Sequence, residues 1–332
     1  MRLYRRRRES HLEREERPMH AMVMTNYGDT NVLSYQEWPT PAPRDQQLLI
    51  KVHACSVNPI DWRIRKGELK LFMRARPPLI LGADIAGEVA QLGPGARRFG
   101  VGDAVYVKLP NDIGGYAEYV AVPETIVARR PANVTATQAA GIPAGAMTAL
   151  QALRDVARLE RGQRILVNGA SGGVGLFAVQ LARELGATVT AVCSASAAGL
   201  VTRLGAGEVI DYRQADFTQL GRRWHVIFDV AAVRSLGQCR RALEPGGVYV
   251  TTISSSRDMI MPLFNPLRSR KGRYVLVKVS ATDLDYLRGL VEGGRLEPIV
   301  DKVFPLAGAA DAQRYIETGK PRGKVILDIA AG

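Results

Sequence analysis

Residues 164 to 185 carry the strongest chemical signal in the chain. A short apolar run, Arg164-Ile165-Leu166-Val167-Asn168, leads straight into Gly169-Ala170-Ser171-Gly172-Gly173-Val174-Gly175. Beyond it Val174, Phe177, Ala178, Leu181 and Leu185 recur at three and four residues, which is the spacing of one apolar stripe on a helix. Glycine between a strand and a helix lets the backbone turn tightly and approach a diphosphate with no Cβ in the way. The phosphate then meets the free amide hydrogens of a helix N-terminus. Such turns also arise for structural reasons alone. Here the preceding strand, the following helix and a series of six strand candidates favour dinucleotide binding, with Ser171, Gly172, Gly173 and Val174 as contacts. Ala170 replaces the first glycine of the commonest fingerprint and is small enough to be tolerated.

The end of the second strand selects between the two nicotinamide dinucleotides. An acid about 20 residues beyond the glycines accepts hydrogen bonds from the ribose hydroxyls of NAD. This chain reads Cys193-Ser194-Ala195-Ser196 there. No carboxylate repels a 2′-phosphate, and the hydroxyls of Ser194 and Ser196 can donate to one, so NADPH is the expected cofactor. The loop has no basic residue, and Arg203, Arg213 or Lys324 would have to supply the charge.

Other chemistry-bearing residues are weaker signals. His53 and His225 sit inside apparent strands with no nucleophile of triad character nearby. Tyr274 and Lys278 reproduce the Tyr-x-x-x-Lys spacing of short-chain dehydrogenases, but they lie in a valine-rich strand, and the match is read as coincidence. Only Cys55, Cys193 and Cys239 occur, too few and too scattered for a disulfide framework or a four-cysteine metal lobe. A reducing cytoplasm is expected.

The elements that must position these groups fall into two rhythms. From Ala21 to about Pro131, short runs such as 48–52, 86–90, 103–107 and 119–122 are punctuated by glycine turns and read as a strand-rich, barrel-like unit. After Thr135 strands alternate with helices. Strands are expected at 164–168, 188–193, 208–211, 225–230, 247–252 and 273–279, with helices at 174–185, 197–204 and 234–243. This pattern calls for an α/β fold, a doubly wound parallel sheet with right-handed crossovers. The tail holds helices at 283–292 and near 308–318, then a strand at 324–329 that is expected to return to the first unit. The expected division is a catalytic domain from 21–142 and 280–332, and a Rossmann domain from 143–279.

Composition sets the outer bounds. The chain has 332 residues, 46% of them hydrophobic and 23% charged, enough for two domains with ample core. No stretch approaches the roughly 20 uninterrupted apolar residues of a spanning helix, so no membrane partner is expected. The formal charge is +13, but the excess is scattered and lacks a recognised nucleic-acid signature, so none is expected as a partner. Residues 1–20 mix seven arginines with four glutamates. They read as a disordered basic tail rather than a secretory or transit peptide.

Several segments taken together resemble the medium-chain dehydrogenase/reductase superfamily, in its zinc-free quinone oxidoreductase branch that includes zeta-crystallin. They are Ser56-Val57-Asn58-Pro59-Ile60-Asp61-Trp62, Leu81-Gly82-Ala83-Asp84-Ile85-Ala86-Gly87, Gly114-Gly115-Tyr116-Ala117-Glu118-Tyr119, Thr148-Ala149-Leu150-Gln151-Ala152-Leu153, the glycine turn, Glu208-Val209-Ile210-Asp211-Tyr212 and Arg322-Gly323-Lys324-Val325. The resemblance implies a GroES-like barrel-type catalytic domain beside the Rossmann domain, an active site in the cleft between them, and a homodimer. It implies Thr148 near the nicotinamide, Tyr212 beside the adenosine 2′-phosphate and Lys324 reaching that phosphate. Val230 and Ile253 would line the nicotinamide ribose.

The resemblance also separates zinc enzymes from zinc-free ones. Asn58 and Ala83 stand where the zinc branch has cysteine and histidine, removing two of the three or four ligands zinc needs. Without a metal, a quinone or an α,β-unsaturated carbonyl is the expected acceptor, because the arriving charge delocalises onto an oxygen that a hydrogen-bond donor can hold. Asn58, through its amide NH₂, is the expected catalytic donor, with a turn-capping asparagine as the structural alternative. An enoyl-thioester reductase, an alcohol dehydrogenase-like enzyme and a cofactor-binding protein of little turnover are the competing readings.

Overall fold

The computed structural model describes residues 18–71, 73, 75–252 and 269–330. Among them, six parallel strands build one sheet: β9 (Arg164–Asn168), β10 (Thr188–Cys193), β11 (Glu208–Asp211), β12 (Trp224–Asp229), β13 (Leu243–Thr252) and β14 (Lys271–Val275). Their order is β11-β10-β9-β12-β13-β14, with every neighbouring pair parallel. The order reverses beside β9, and the crevice outside the carboxyl end of such a strand is where open α/β sheets bind ligands. Ile165, Leu166 and Val167 have no exposed surface, as expected of a central strand covered on both faces.

Several strand ends differ from the periodicity, including the start of β14 at Lys271 rather than 273. Strand β12 starts one residue early because Trp224 is buried and pairs with Leu243. Strand β13 then begins at Leu243 rather than 247, and a register shift between Trp224 and Val226 absorbs the Glu244-Pro245-Gly246 segment. Strand β14 ends at Val275 rather than 279.

A second sheet runs β15-β16-β3-β5-β6-β8, with β7 also paired to β3. Its strands are β3 (Gln47–Val57), β5 (Asp84–Leu92), β6 (Ala104–Lys108), β7 (Tyr119–Pro123), β8 (Ala128–Arg129), β15 (Val300–Pro305) and β16 (Lys324–Asp328). The terminal strand β16 lies antiparallel to β3, with Val325 opposite Val57 and Asp328 opposite Ala54. Two register shifts along β3 against β5 bend the sheet. The carboxyl end of β3 therefore delivers Asn58 beside β16.

A small third sheet, β2-β1-β4, joins β1 (Met19–Met24), β2 (Leu33–Trp38) and β4 (Leu79–Ile80). It shortens the expected tail by two residues. Met19 and His20 belong to β1, because Met19 buries against Ala21, Val23 and Ala117. Residues 1–17 lie outside the described residues.

Helices α1 (Pro59–Arg65), α2 (Ala136–Ala140), α3 (Pro143–Gln151), α4 (Gly173–Glu184), α5 (Ala198–Arg203), α6 (Leu236–Cys239), α7 (Ala281–Glu292) and α8 (Ala309–Glu317) complete the described elements used below. Helix α6 is one turn, followed by a 3₁₀ turn at Arg240–Ala242, where a longer helix was expected. Helix α4 is buried without a break from Gly175 to Ala182, more than the single stripe its sequence shows. Helix α3 covers the outer side, and a Cβ on Gly145 would lie only 3.2 Å from the Phe177 ring. No helix among the described residues is long and apolar enough to cross a membrane.

Candidate active site

The glycine turn lies at the carboxyl end of β9. Gly169 has φ +82°, and a Cβ there would meet Ala231 at 3.0 Å. A Cβ on Gly175 would stand 2.1 Å from the Gly169 carbonyl oxygen, so strand and helix close on each other only with glycine at that point. Gly172 differs: its Cβ would have a single neighbour, the Gly169 oxygen at 3.6 Å. The space above Gly172 is therefore open, and it lies over the first turn of α4, whose amides have no intrahelical acceptor. These features fit a dinucleotide diphosphate. Ser171, Gly173 and Val174 are half-buried around the same opening.

Asn168 holds the neighbouring wall. Its amide donates to Asp229 at 2.7 Å, and its carbonyl accepts the N–H groups of Val230 and Ala231 at 3.0 and 3.2 Å. Asp229 is fully buried and also accepts from Tyr249 and the Arg234 N–H; burial pushes its carboxyl up from the usual range. Val230 thus lines the turn region. Ile253, its expected partner on the next strand, lies outside the described residues.

At the end of β10, Ser194 and Ser196 share a hydrogen bond of 3.1 Å between hydroxyls. Arg322 donates to the Ser196 carbonyl at 2.9 Å and to its hydroxyl at 2.8 Å. Tyr212 is exposed at the end of β11, its amide donating to the Cys193 carbonyl, and the Arg213 guanidinium stacks 5.7 Å from its ring. Two hydroxyls and two cations thus stand on one rim. Arg203 is spent on an ion pair with Glu297 instead.

Lys324 corrects an expectation. It does not reach the Ser194–Ser196 rim. Gly323, at φ +118°, pairs in a bridge with Gly172, and the Lys324 stem continues along the glycine turn, 2.8 Å from where a Gly173 Cβ would be. Its ammonium ends 2.5 Å from Asn58 Oδ1 and 3.7 Å from Asp84 Oδ2. Arg322, two residues earlier, joins Arg213 at the rim instead. Arg322 carries no local signal of this role beyond its place in the Arg322-Gly323-Lys324-Val325 segment.

Asn58 lies at the N-terminus of α1, where Pro59 occupies the first position. Its backbone closes the helix end: its N–H donates to Asp61 Oδ2 at 2.7 Å, and its carbonyl accepts the Asp61 N–H. Its side chain turns away from the helix. The amide NH₂ donates to Ser56 Oγ and to Asp84 Oδ2, each at 3.0 Å. The expected donor toward a substrate is therefore engaged within the protein, and the amide oxygen faces Lys324.

Asp84 joins the parts. Fully buried at the start of β5, it accepts from Ser56 Oγ at 2.6 Å and from Asn58 on Oδ2, and from the Ala144 N–H at 2.8 Å on Oδ1. Ala144 lies in the first turn of α3, the helix that carries Thr148, whose hydroxyl donates back to the Ala144 carbonyl at 2.6 Å. In the sequence Asp84 stands out only as part of the Leu81–Gly87 segment, and no local signal marks its carboxylate as the hub.

Beneath the network, Asp61 is fully buried. Burial pushes its carboxyl up to about 7, against hydrogen bonds from the Asn58 N–H and the Tyr116 hydroxyl. Its other oxygen has no partner among the described residues.

Residues 44–132 match the family described as Alcohol dehydrogenase GroES-like domain, and residues 204–327 match Zinc-binding dehydrogenase. The fold and these matches define the medium-chain dehydrogenase/reductase superfamily, and the chain belongs to it. It is an oxidoreductase with a Rossmann domain for a nicotinamide cofactor. Among its relatives, a quinone-oxidoreductase homolog of Spinacia oleracea chloroplasts is 34% identical, covering 93% of this chain and 98% of the relative. The chloroplastic NADPH-dependent alkenal/one oxidoreductase of Arabidopsis thaliana is 32% identical over 93% of this chain and 79% of its own. The solved quinone oxidoreductase of Coxiella burnetii superposes with a TM-score of 0.86 at 30% identity, covering 94% of this chain and 100% of that one.

Proposed function

We propose that the protein is a zinc-independent, NADPH-dependent reductase of quinones or α,β-unsaturated carbonyl compounds. The observation that carries the reading is that Arg322 and Lys324, on either side of the Gly323 bridge to Gly172, each belong to a polar group beside the glycine turn. One is a rim of Ser194, Ser196, Tyr212, Arg213 and Arg322 suited to a 2′-phosphate. The other is a buried polar cluster of Asn58, Asp84 and Lys324 beside the glycine turn.

The bound reduced nicotinamide supplies the hydride equivalent. The protein's part is to hold the diphosphate over Gly172, to seat the adenosine phosphate on the rim and to stabilise negative charge on the acceptor oxygen. An acceptor whose oxygen takes up that charge by conjugation needs no Lewis acid. Asn58 and Ala83 offer no zinc-binding side chain of the thiolate or imidazole kind. Names of the relatives, including quinone and alkenal/one oxidoreductases, agree with this substrate class.

The working form is proposed to be a homodimer in the cytoplasm. The three cysteines are free and buried, in keeping with a reducing compartment.

The test is cofactor oxidation, followed by absorbance, against a panel of benzoquinones, naphthoquinones and short enones, with NADPH and NADH in parallel. Turnover with NADPH exceeding that with NADH is expected. No turnover with any acceptor, or stoichiometric zinc in the purified protein, would overturn the reading.

A further inference from the structure

The polar cluster beside the glycine turn holds a buried cation whose hydrogen-bonding capacity is only partly used. An ammonium group has three N–H donors and no acceptor. One donor of Lys324 meets Asn58 Oδ1 at 2.5 Å. Asp84 Oδ2, at 3.7 Å, balances the charge from beyond hydrogen-bond range, and that oxygen already accepts from Ser56 and Asn58. The Lys324 stem packs against the glycine turn at Gly173 and against Gly141, so the ammonium stands between the turn and Asn58. The Asn58 amide has no donor to spare, since its NH₂ faces Ser56 and Asp84.

We propose that Lys324 is the catalytic acid: its ammonium holds the carbonyl oxygen of the acceptor and then protonates it, with Asn58 and Asp84 as positioning residues. The inference rests on the reductase reading above. As the acceptor carbon gains two electrons with a hydrogen from the reduced nicotinamide, an electron pair moves onto the acceptor oxygen. One Lys324 N–H bond breaks and an O–H bond forms, giving an enol from an enone; from a quinone the same step gives the keto tautomer of the hydroquinone, which becomes the hydroquinone as its ring C–H proton leaves to water and water protonates the second oxygen. The resulting amine regains its proton from water, so each turnover consumes one solvent proton. Asn58 Oδ1 fixes one N–H of the ammonium and thereby aims the others. Asp84 keeps a compensating charge close to the cation in both steps.

The test compares the wild type with Lys324→Met and Lys324→Arg, each shown to be folded by circular dichroism and thermal melting. The first readout needs no turnover. 4-Nitrophenol, a mimic of the enolate oxygen, is titrated into the protein saturated with NADP⁺, and the visible absorbance of its phenolate reports its ionisation. The wild type is expected to bind it as the phenolate, Lys324→Met to bind about 10-fold more weakly or worse, and Lys324→Arg to recover most of the binding. In steady state, Lys324→Met is expected to lower kcat about 100- to 1000-fold, with the Kd for NADPH changed less than about threefold. Unchanged phenolate binding in Lys324→Met would overturn the assignment. So would a large rise in its NADPH Kd with kcat preserved, which would make Lys324 a cofactor ligand instead. A wild type that turns over no quinone or enone defeats the reductase reading separately, because the nitrophenol titration still reports whether the ammonium faces the cleft.

Discussion

Arg322 grips Ser196 twice, through the backbone carbonyl and the hydroxyl, at 2.9 and 2.8 Å across 126 residues of chain. The contact brings a fixed charge to a loop that has none of its own. A 2′-phosphate on this rim would gain a charge-assisted hydrogen bond, a contribution of about 1.5–3 kcal/mol. Arg322→Ala should therefore raise the KM for NADPH about 10- to 100-fold and leave the KM for NADH nearly unchanged. Initial-rate measurements with both cofactors check this, and an equal loss for both would remove the assigned role.

The two glycines at positions 172 and 175 should fail in different ways. Gly172→Ala adds a Cβ in open space, so the Tm should stay within about 2 °C, while NADPH binding weakens because the Cβ occupies the approach to the amides. Gly175→Ala drives a Cβ into the Gly169 carbonyl at 2.1 Å and should destabilise the fold by about 3 kcal/mol or more. Thermal melts with a fluorescence titration of NADPH separate the two effects.

Removing Asp84 should cost stability as well as rate. Asp84→Ala strands the Lys324 ammonium and leaves the Ser56 hydroxyl, the Asn58 amide and the Ala144 N–H without their acceptor. Breaking one side of a buried charged network costs about 3–5 kcal/mol. The double variant Asp84→Ala/Lys324→Met should lose less than the sum of the single changes, because the stranded charge is gone. Urea unfolding of the four proteins measures the coupling, and strict additivity would mean that the two groups do not interact.

Asp61 makes stability depend on pH with a definite sign. Burial raises its folded value to about 7 from 3.8, so the folded state binds this proton more tightly than the unfolded chain does. Its contribution favours the fold at low pH, is lost progressively as pH rises from about 4 to 7, and is constant above that. The span corresponds to roughly 4 kcal/mol. Asp61→Asn, which keeps the acceptor for Asn58 and Tyr116, should flatten this part of the profile. Urea midpoints at pH 5 and pH 8 give the comparison, and parallel shifts in both proteins would sink the assignment.

The sequence by itself determined the cofactor-binding half of the molecule. Strands β9, β10 and β11 run over the residues expected of them, and α4 starts at the predicted turn, because local periodicity and glycine placement encode both. Element ends were legible only where no partner intervened. Strand β13 starts at Leu243 because Trp224 pairs there, and β1 starts at Met19 because that side chain has a small cluster to enter.

Only the tertiary structure decided the polar core of the cleft. Asn58 and Lys324 meet across 266 residues, and nothing local tells whether an asparagine amide faces its own helix or a distant carboxylate. Lys324 and Arg322 flank one glycine, yet one enters the cleft while the other reaches the rim. That choice depends on the Gly323 backbone and on the bridge to Gly172. Buried hydrogen bonds are satisfied by whichever groups the fold brings within 3 Å or so, and their partners come from whichever strands the topology makes neighbours.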